Sequence, residues 1–209
     1  LDQAGNEVAR GERAMSVSAC EPSEARAAAF TADLAPGEYR VGLAVHDGDR
    51  RRGVYQGRIE IPAGSGRLAL SDILVTCGSA SALAMGQPAV NVEANPRASV
   101  RAGDPLTVYF EVYGLAPGAG GASRFEYVCT VSSRERDPRS WFQRMIAPQA
   151  VPEPIEARRE ETHRGAVRRQ FFSVPIETLP RGHYQVEVRV RDLVSGAETK
   201  GQAEFVRVD

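Results

Sequence analysis

Lysine, histidine, cysteine and tryptophan are all scarce in this sequence. Its 209 residues include 3 His, 3 Cys and 1 Trp, and Lys200 is the single lysine. His46, His163 and His183 fall in unrelated turn or loop contexts, which leaves little for acid–base chemistry near neutral pH. No serine sits in a Gly-x-Ser-x-Gly elbow, and the reading is of a protein that is not an enzyme. Charge of one sign is lacking too: 26 Lys and Arg oppose 27 Asp and Glu, a net charge of −1. That balance supplies no positive excess to displace phosphate counterions and argues against a general nucleic-acid binder. Apolar runs stop after a few residues, as in Ile73-Leu74-Val75, so no transmembrane segment is expected, although contact with a membrane complex stays open. The start shows neither a basic n-region nor an apolar h-region, which suggests a mature form or a fragment of something longer. What remains is a globular composition, 42% hydrophobic and 25% charged, at a length that suits two domains.

The three cysteines show no CxxC spacing and no neighbouring histidine, so neither a zinc site nor a redox motif is supported. Cys20, Cys77 and Cys129 each end or interrupt an apolar stretch. Two readings stay open: three buried thiols acting as small hydrophobes, or a Cys20–Cys77 bridge with Cys129 free.

Alternation of apolar and polar residues runs through most of the chain. Tyr39, Val41, Leu43 and Val45 alternate with polar or small residues, as do Tyr184, Val186, Val188 and Val190. Leu106, Val108, Phe110 and Val112 form the aliphatic side of a strand whose other side is more polar and aromatic, and Phe172, Val174 and Ile176 supply another strand. These are half-buried strands. Turn chemistry at Asp47-Gly48-Asp49, Ala63-Gly64-Ser65-Gly66, Ala102-Gly103-Asp104 and Ser195-Gly196 separates them. Short strands between such turns read as all-β, not as βαβ units.

The strongest signal is internal. Leu34, Gly37, Tyr39, Val41, Val45 and Asp47 recur as Leu179, Gly182, Tyr184, Val186, Val190 and Asp192, at a constant offset of 145 positions. Leu-x-Pro-Gly-x-Tyr is the pattern of a tyrosine corner, in which the phenol hydrogen-bonds back to the preceding turn of a Greek-key sandwich. Leu34, Gly37, Tyr39, Leu179, Gly182 and Tyr184 are therefore read as structural. The expected fold is two tandem immunoglobulin/fibronectin-III-like Greek-key β-sandwiches. Residues 1–76 form a partial sandwich, 77–88 a linker of small residues, and 89–209 a sandwich with a long insertion at about 132–169. Only 38 residues precede Tyr39, room for two or three of the five strands that precede such a corner. The first unit is thus incomplete at its N-terminus or completed by another segment or chain, and an open sheet edge there would suit β-augmentation.

The ordered features Leu34-Ala35-Pro36-Gly37-Glu38-Tyr39, Leu68-Ala69-Leu70-Ser71-Asp72-Ile73-Leu74, Asn95-Pro96, Ala102 to Tyr113 and the second corner carry a resemblance. Together they resemble the C-terminal β-sandwich region of bacterial GWxTD-domain proteins, and similar Leu-Ser-Asp-Ile segments occur in acidobacterial proteins related to von Willebrand factor A domains. The GWxTD tetrapeptide itself is absent from this chain. The resemblance implies the fold, export to the periplasm or cell surface, and an accessory or binding role. It transfers no catalytic residue.

Candidate sites are few. Asp47, Asp49 and Asp72 offer hard oxygen ligands, but Asp47-Gly48-Asp49 is what a hairpin turn requires, and no metal site is expected. The glycine-rich run Gly114 to Gly121 lacks the following helix and Lys-Ser/Thr of a phosphate cradle and reads as a hairpin loop; no cofactor is expected. Arg50, Arg51 and Arg52 mark a hairpin tip, a solvated turn or a recognition loop. Trp141, Phe142, Arg144 and Met145 combine the residue types of an interface centre, although the only Trp serves equally well as a core plug. The leading expectation is a non-catalytic protein–protein interaction or structural accessory module, a subunit or fragment of a larger assembly, with a small-molecule ligand disfavoured. The alternative is a carbohydrate-binding accessory module of an enzyme, with Tyr109, Tyr113 and Tyr127 as its aromatic platform.

Overall fold

The computed structural model describes residues 1–18, 20, 26–47, 51–64, 66–77, 92–134, 152–165 and 167–209. Among them the chain is all-β. In order the strands are β1 (Ser16–Val17), β2 (Arg26–Ala27), β3 (Gly37–Asp47), β4 (Arg51–Ile61), β5 (Ala69–Leu70), β6 (Leu74–Val75) and β7 (Ser99–Val100). There follow β8 (Leu106–Tyr113), β9 (Ser123–Ser133), β10 (Ile155–His163), β11 (Val167–Val174), β12 (Gly182–Asp192) and β13 (Glu198–Arg207). Ala119–Gly121 is a 3-10 turn, the helical exception among the described residues. None of the described helical segments is long and apolar enough to cross a membrane.

The chain divides into two compact units, Leu1–Met15 with Ala28–Ser65, and Ser16–Ala27 with Gly66–Asp209. The first is built on one hairpin. β3 and β4 pair antiparallel over eleven residues each, from Gly37 opposite Ile61 to Asp47 opposite Arg51. Paired residues share a face, so Tyr39/Ile59, Val41/Gly57, Leu43/Tyr55 and Val45/Gly53 line one side. Arg40/Arg58, Gly42/Gln56, Ala44/Val54 and His46/Arg52 line the other.

The second unit holds a five-stranded sheet in the order β10-β9-β12-β13-β7 and a sheet in the order β11-β8-β5, with β6 also on β8. Both contribute to one core. Leu106, Val108, Phe110 and Val112 of β8 and Val174 of β11 are fully buried, together with Phe125, Tyr127, Cys129 and Val131 of β9 and Val186, Val188 and Val190 of β12. The alternation in sequence becomes burial here: inward positions of β9 and β12 are closed to solvent and their neighbours are not. Burying a side chain of this size contributes on the order of 1.5–3 kcal/mol, which is why this unit has a core to organise it. The small β1–β2 pair also belongs to this unit. Cys20 and Cys77 are joined in a disulfide, and Cys129 is free and buried.

Three sequence expectations differ from this arrangement. Residues 66–76, expected in the first unit, group with the second, because Leu70 pairs with Val112, Val75 with Val108, and Ile73 and Val75 enter its core. Between those pairs the residues after Leu70 count one more than the β8 residues opposite, a bulge. Ser71 closes it: its N–H donates to the Glu111 carbonyl and its Oγ accepts from the Glu111 N–H, both at 2.9 Å. The insertion expected at 132–169 contains sheet strands, since β10 pairs with β9 along its whole length and β11 begins at Val167. The run Gly114 to Gly121 is not a hairpin loop, because β8 and β9 lie in different sheets and it carries the chain from one to the other. The expected linker at 77–88 falls, beyond Cys77, outside the described residues.

Candidate functional site

Both corner segments have the same local geometry. The Tyr39 hydroxyl donates to the Ala35 carbonyl at 2.6 Å, and the Tyr184 hydroxyl donates to the Pro180 carbonyl at 2.8 Å. Gly37 and Gly182 both have φ of 152°, in the region that a Cβ disfavours. β3 and β12 begin at these glycines and end at Asp47 and Asp192. Locally the two segments match, bond for bond.

Their surroundings do not match. Val188 and Val190 are 0% exposed, whereas Leu43 and Val45, 145 positions earlier, are 43% and 41% exposed. Tyr184 is buried and Tyr39 only half-buried. On β4, Tyr55 and Ile59 stand 61% and 41% exposed on the same face. Tyr55 leans along the strand over Gly57, so that a Cβ at Gly57 would meet its ring and hydroxyl. No described residue of the first unit is buried other than in part. Tyr39, Val41, Leu43, Val45, Tyr55 and Ile59 therefore form an apolar face of core-type residues that the described residues bury at most in part. Sequence reasoning pointed to an open edge in this unit but did not single out these residues; the signal was the offset itself, since their counterparts on β12 are core.

The edge of β3 that faces away from β4 carries one pairing. The Leu1 ammonium donates to the Arg40 carbonyl and the Arg40 N–H donates to the Leu1 carbonyl, both at 2.8 Å. This exchange defines an antiparallel hydrogen-bonded pair and shows that Arg40 turns its backbone groups away from β4. Alternation then turns the backbone groups of Gly42, Ala44 and His46 to the same edge, and among the described residues nothing pairs with them there.

The sequence-predicted site residues are mostly not brought into view. Trp141, Phe142, Arg144, Met145 and Arg50 lie outside the described residues. Arg51 enters β4 through its backbone, and Arg52 is exposed on the face opposite the apolar one, across from His46. The three tyrosines considered as a sugar platform do not make one. Tyr127 is fully buried in the core of the five-stranded sheet, and Tyr109 is nearly so on the other sheet, against Phe171 at 4.7 Å. Only Tyr113 is substantially exposed. A stacking platform needs coplanar rings open to solvent, and these rings are buried to different depths in different sheets.

Several carboxylates of the second unit each gather two or three donors. Tyr109, Tyr113 and Arg169 all donate to the Glu111 carboxylate. Partial burial and the carboxylate push the Tyr113 phenol up to about 12. Burial opposes ionisation of Glu111, but its three donors hold it below the usual carboxylate range. Glu161 accepts from Tyr127, Gln170 and Arg168. Asp192 accepts from the N–H groups of Ala116 and Val194 and from the Ser195 hydroxyl, which ties the β8–β9 connection to the β12–β13 turn. Desolvation pushes the Cys129 thiol up to about 12, which leaves it inert. His163 sets its Nε2 3.1 Å from the Val167 carbonyl. Among the described residues no cluster of His, Cys, Asp and Glu could hold a metal ion.

No protein-family model matches the chain, and no curated protein matches it.

Proposed function

We propose that this chain is a protein–protein interaction or structural accessory module, built from two immunoglobulin/fibronectin-III-like units and working through the apolar face of the β3–β4 hairpin. The observation that carries the proposal is the contrast between Leu43 and Val45, 43% and 41% exposed, and their counterparts in the same local motif, Val188 and Val190, closed in a core. A two-stranded hairpin is marginal by itself in water, and side chains of core type on its face are stabilised only when something covers them. The Cys20–Cys77 disulfide supports residence in an oxidising compartment, as an exported bacterial protein would have. No residue is assigned a catalytic role.

The test places a photo-crosslinking amino acid at Leu43 in the chain expressed in its source organism, with Gln202 of the second unit as control. A covalent protein adduct from position 43 and none from position 202 is the expected result. Equal labelling from both, or none from position 43, would remove the hairpin face from the proposal.

A further inference from the structure

The Cys20–Cys77 disulfide joins two parts of the second unit that are held very differently. Cys77 ends a fixed stretch. Val75, two residues before it, lies in the core, and the Thr76 N–H and Oγ1 both donate to the Thr107 carbonyl. The Cys77 N–H donates to the Glu93 carbonyl at 3.0 Å. Cys20 belongs to Ser16–Ala27, whose β1–β2 pair of two residues each joins neither large sheet of the unit. No described residue of Ser16–Ala27 enters the apolar core or packs against it, and Val17 is 47% exposed. So short a hairpin is marginal by itself in water. Two attachments to the fixed stretch sit side by side: the bridge, and Ser18, closed to solvent with its hydroxyl 3.9 Å from Cys77 Sγ.

Both bridge cysteines are half-buried, whereas Cys129 is closed in the core. A bridge outside the core and partly open to solvent is the kind that thiol exchange reaches without unfolding. We infer that Cys20–Cys77 is a redox latch. A dithiol reductant opens it in the folded chain and unseats Ser16–Ala27, while the core of the second unit stays closed. One thiolate of the reductant attacks Cys20 Sγ, the S–S bond breaks, and its electron pair leaves on Cys77 Sγ. The Ser18 hydroxyl beside that sulfur is placed to donate to the thiolate formed there, which then takes a proton from water. The second thiolate of the reductant displaces Cys20 from the mixed disulfide. Two electrons and two protons thus pass from the dithiol to the bridge, and the dithiol becomes a disulfide.

The latch acts on the path of the chain. Met15 and Ala28, on either side of the seated segment, belong to the first unit, and the 57-residue span of the bridge contains all of Ala28–Ser65. In the oxidised chain the stretch carrying β3 and β4 is fastened to the second unit both ahead of Ala28 and after Ser65. Reduction removes the fastening ahead of Ala28 and leaves the peptide bond to Gly66. This device is independent of what covers the β3–β4 face.

The full chain is reduced with dithiothreitol in native buffer and quenched with iodoacetamide, with hydrogen exchange followed in parallel. Cys20 and Cys77 should be alkylated and Cys129 left unlabelled. Exchange in peptides covering 16–27 should quicken by about tenfold or more, with peptides covering 182–207 unchanged. Labelling of Cys129 at the same rate as the other two would show that the bridge opens only through unfolding, and overturns the inference. So does unchanged exchange over 16–27 after reduction, since packing would then seat the segment. The double variant Cys20→Ser, Cys77→Ser asks the question without reductant. Fast exchange over 16–27 with or without dithiothreitol is expected from it, and protection equal to that of the oxidised chain would equally overturn the latch.

Discussion

Truncating the same inward position in the two units should invert the usual size rule. Val188→Ala removes two methyl equivalents from a site closed to solvent. At about 0.8 kcal/mol for each buried CH2, with the cavity contribution added, it should cost about 2–3 kcal/mol. Leu43→Ala removes three carbons, and in a core it would cost about 3–5 kcal/mol. Leu43 is 43% exposed, so about half of the transfer term applies and little cavity forms, which leaves about 1 kcal/mol. The larger deletion should therefore be the cheaper one. The assay is native-state hydrogen exchange along a urea series, read separately for peptides covering 37–61 and 182–207, because a two-unit chain has no single unfolding free energy. A cost of about 2.5 kcal/mol or more for Leu43→Ala in the 37–61 peptides would show that the face is already packed and would refute the open-face argument.

Reduction of the Cys20–Cys77 bridge, which spans 57 residues of sequence, should lower the stability of the second unit by up to about 4 kcal/mol in the loop-closure picture, seen as a drop in Tm. Thiol titration should give no reaction in the native state, one thiol on unfolding without reductant, and three after reduction, because Cys129 is buried with its thiol pushed up to about 12. Asp192→Asn should destabilise the second unit by about 1.5–3 kcal/mol. Burial raises the Asp192 carboxyl, but its hydrogen bonds from Ala116, Val194 and Ser195 outweigh it and hold the group below its ordinary value. Its contribution is therefore complete above the unfolded value of about 3.9 and fades as pH falls through the lower folded value, so Asp192→Asn should flatten acid unfolding below pH of about 4. Gly201→Ala should cost more than a propensity change, since its Cβ would lie 3.2 Å from Ile73 Cγ1, and Ile73→Val should relieve part of that cost in a double-mutant cycle.

Much of this was legible in the sequence, for identifiable reasons. A corner closes over five residues, from Ala35 to Tyr39 and from Pro180 to Tyr184, so its chemistry is local and its motif reports it directly. Strict alternation placed β3, β8 and β12 because their inward sides are purely aliphatic or aromatic. β10 was hidden because alternation fails on its inner side: after Ile155 and Ala157 come Arg159, over the Phe172 ring at 5.6 Å, and Glu161, bound to Tyr127 and Gln170. Charged residues held this way read as a polar loop. β5 and β6 are two residues each, and nothing local says which core Ile73 enters. The sugar platform was misread because period-2 alternation gives the face of one strand and no information about depth or about which sheet the next strand joins.

The two corner segments separate what a motif encodes from what a fold must supply. Tyr39 keeps its hydrogen bond, Gly37 its φ and β3 its length in a unit none of whose described residues is fully buried. The corner is therefore no evidence that a sandwich is complete; it forms from its own few residues and waits for the rest. Evidence of completeness lies at the inward positions two, four and six residues after the tyrosine. Val186, Val188 and Val190 are closed in the core and flanked by β9, whereas among the described residues Val41, Leu43 and Val45 are buried at most in part. Apolar residues at those three positions are each more costly in water than a polar residue would be, and the proposed interaction would cover them.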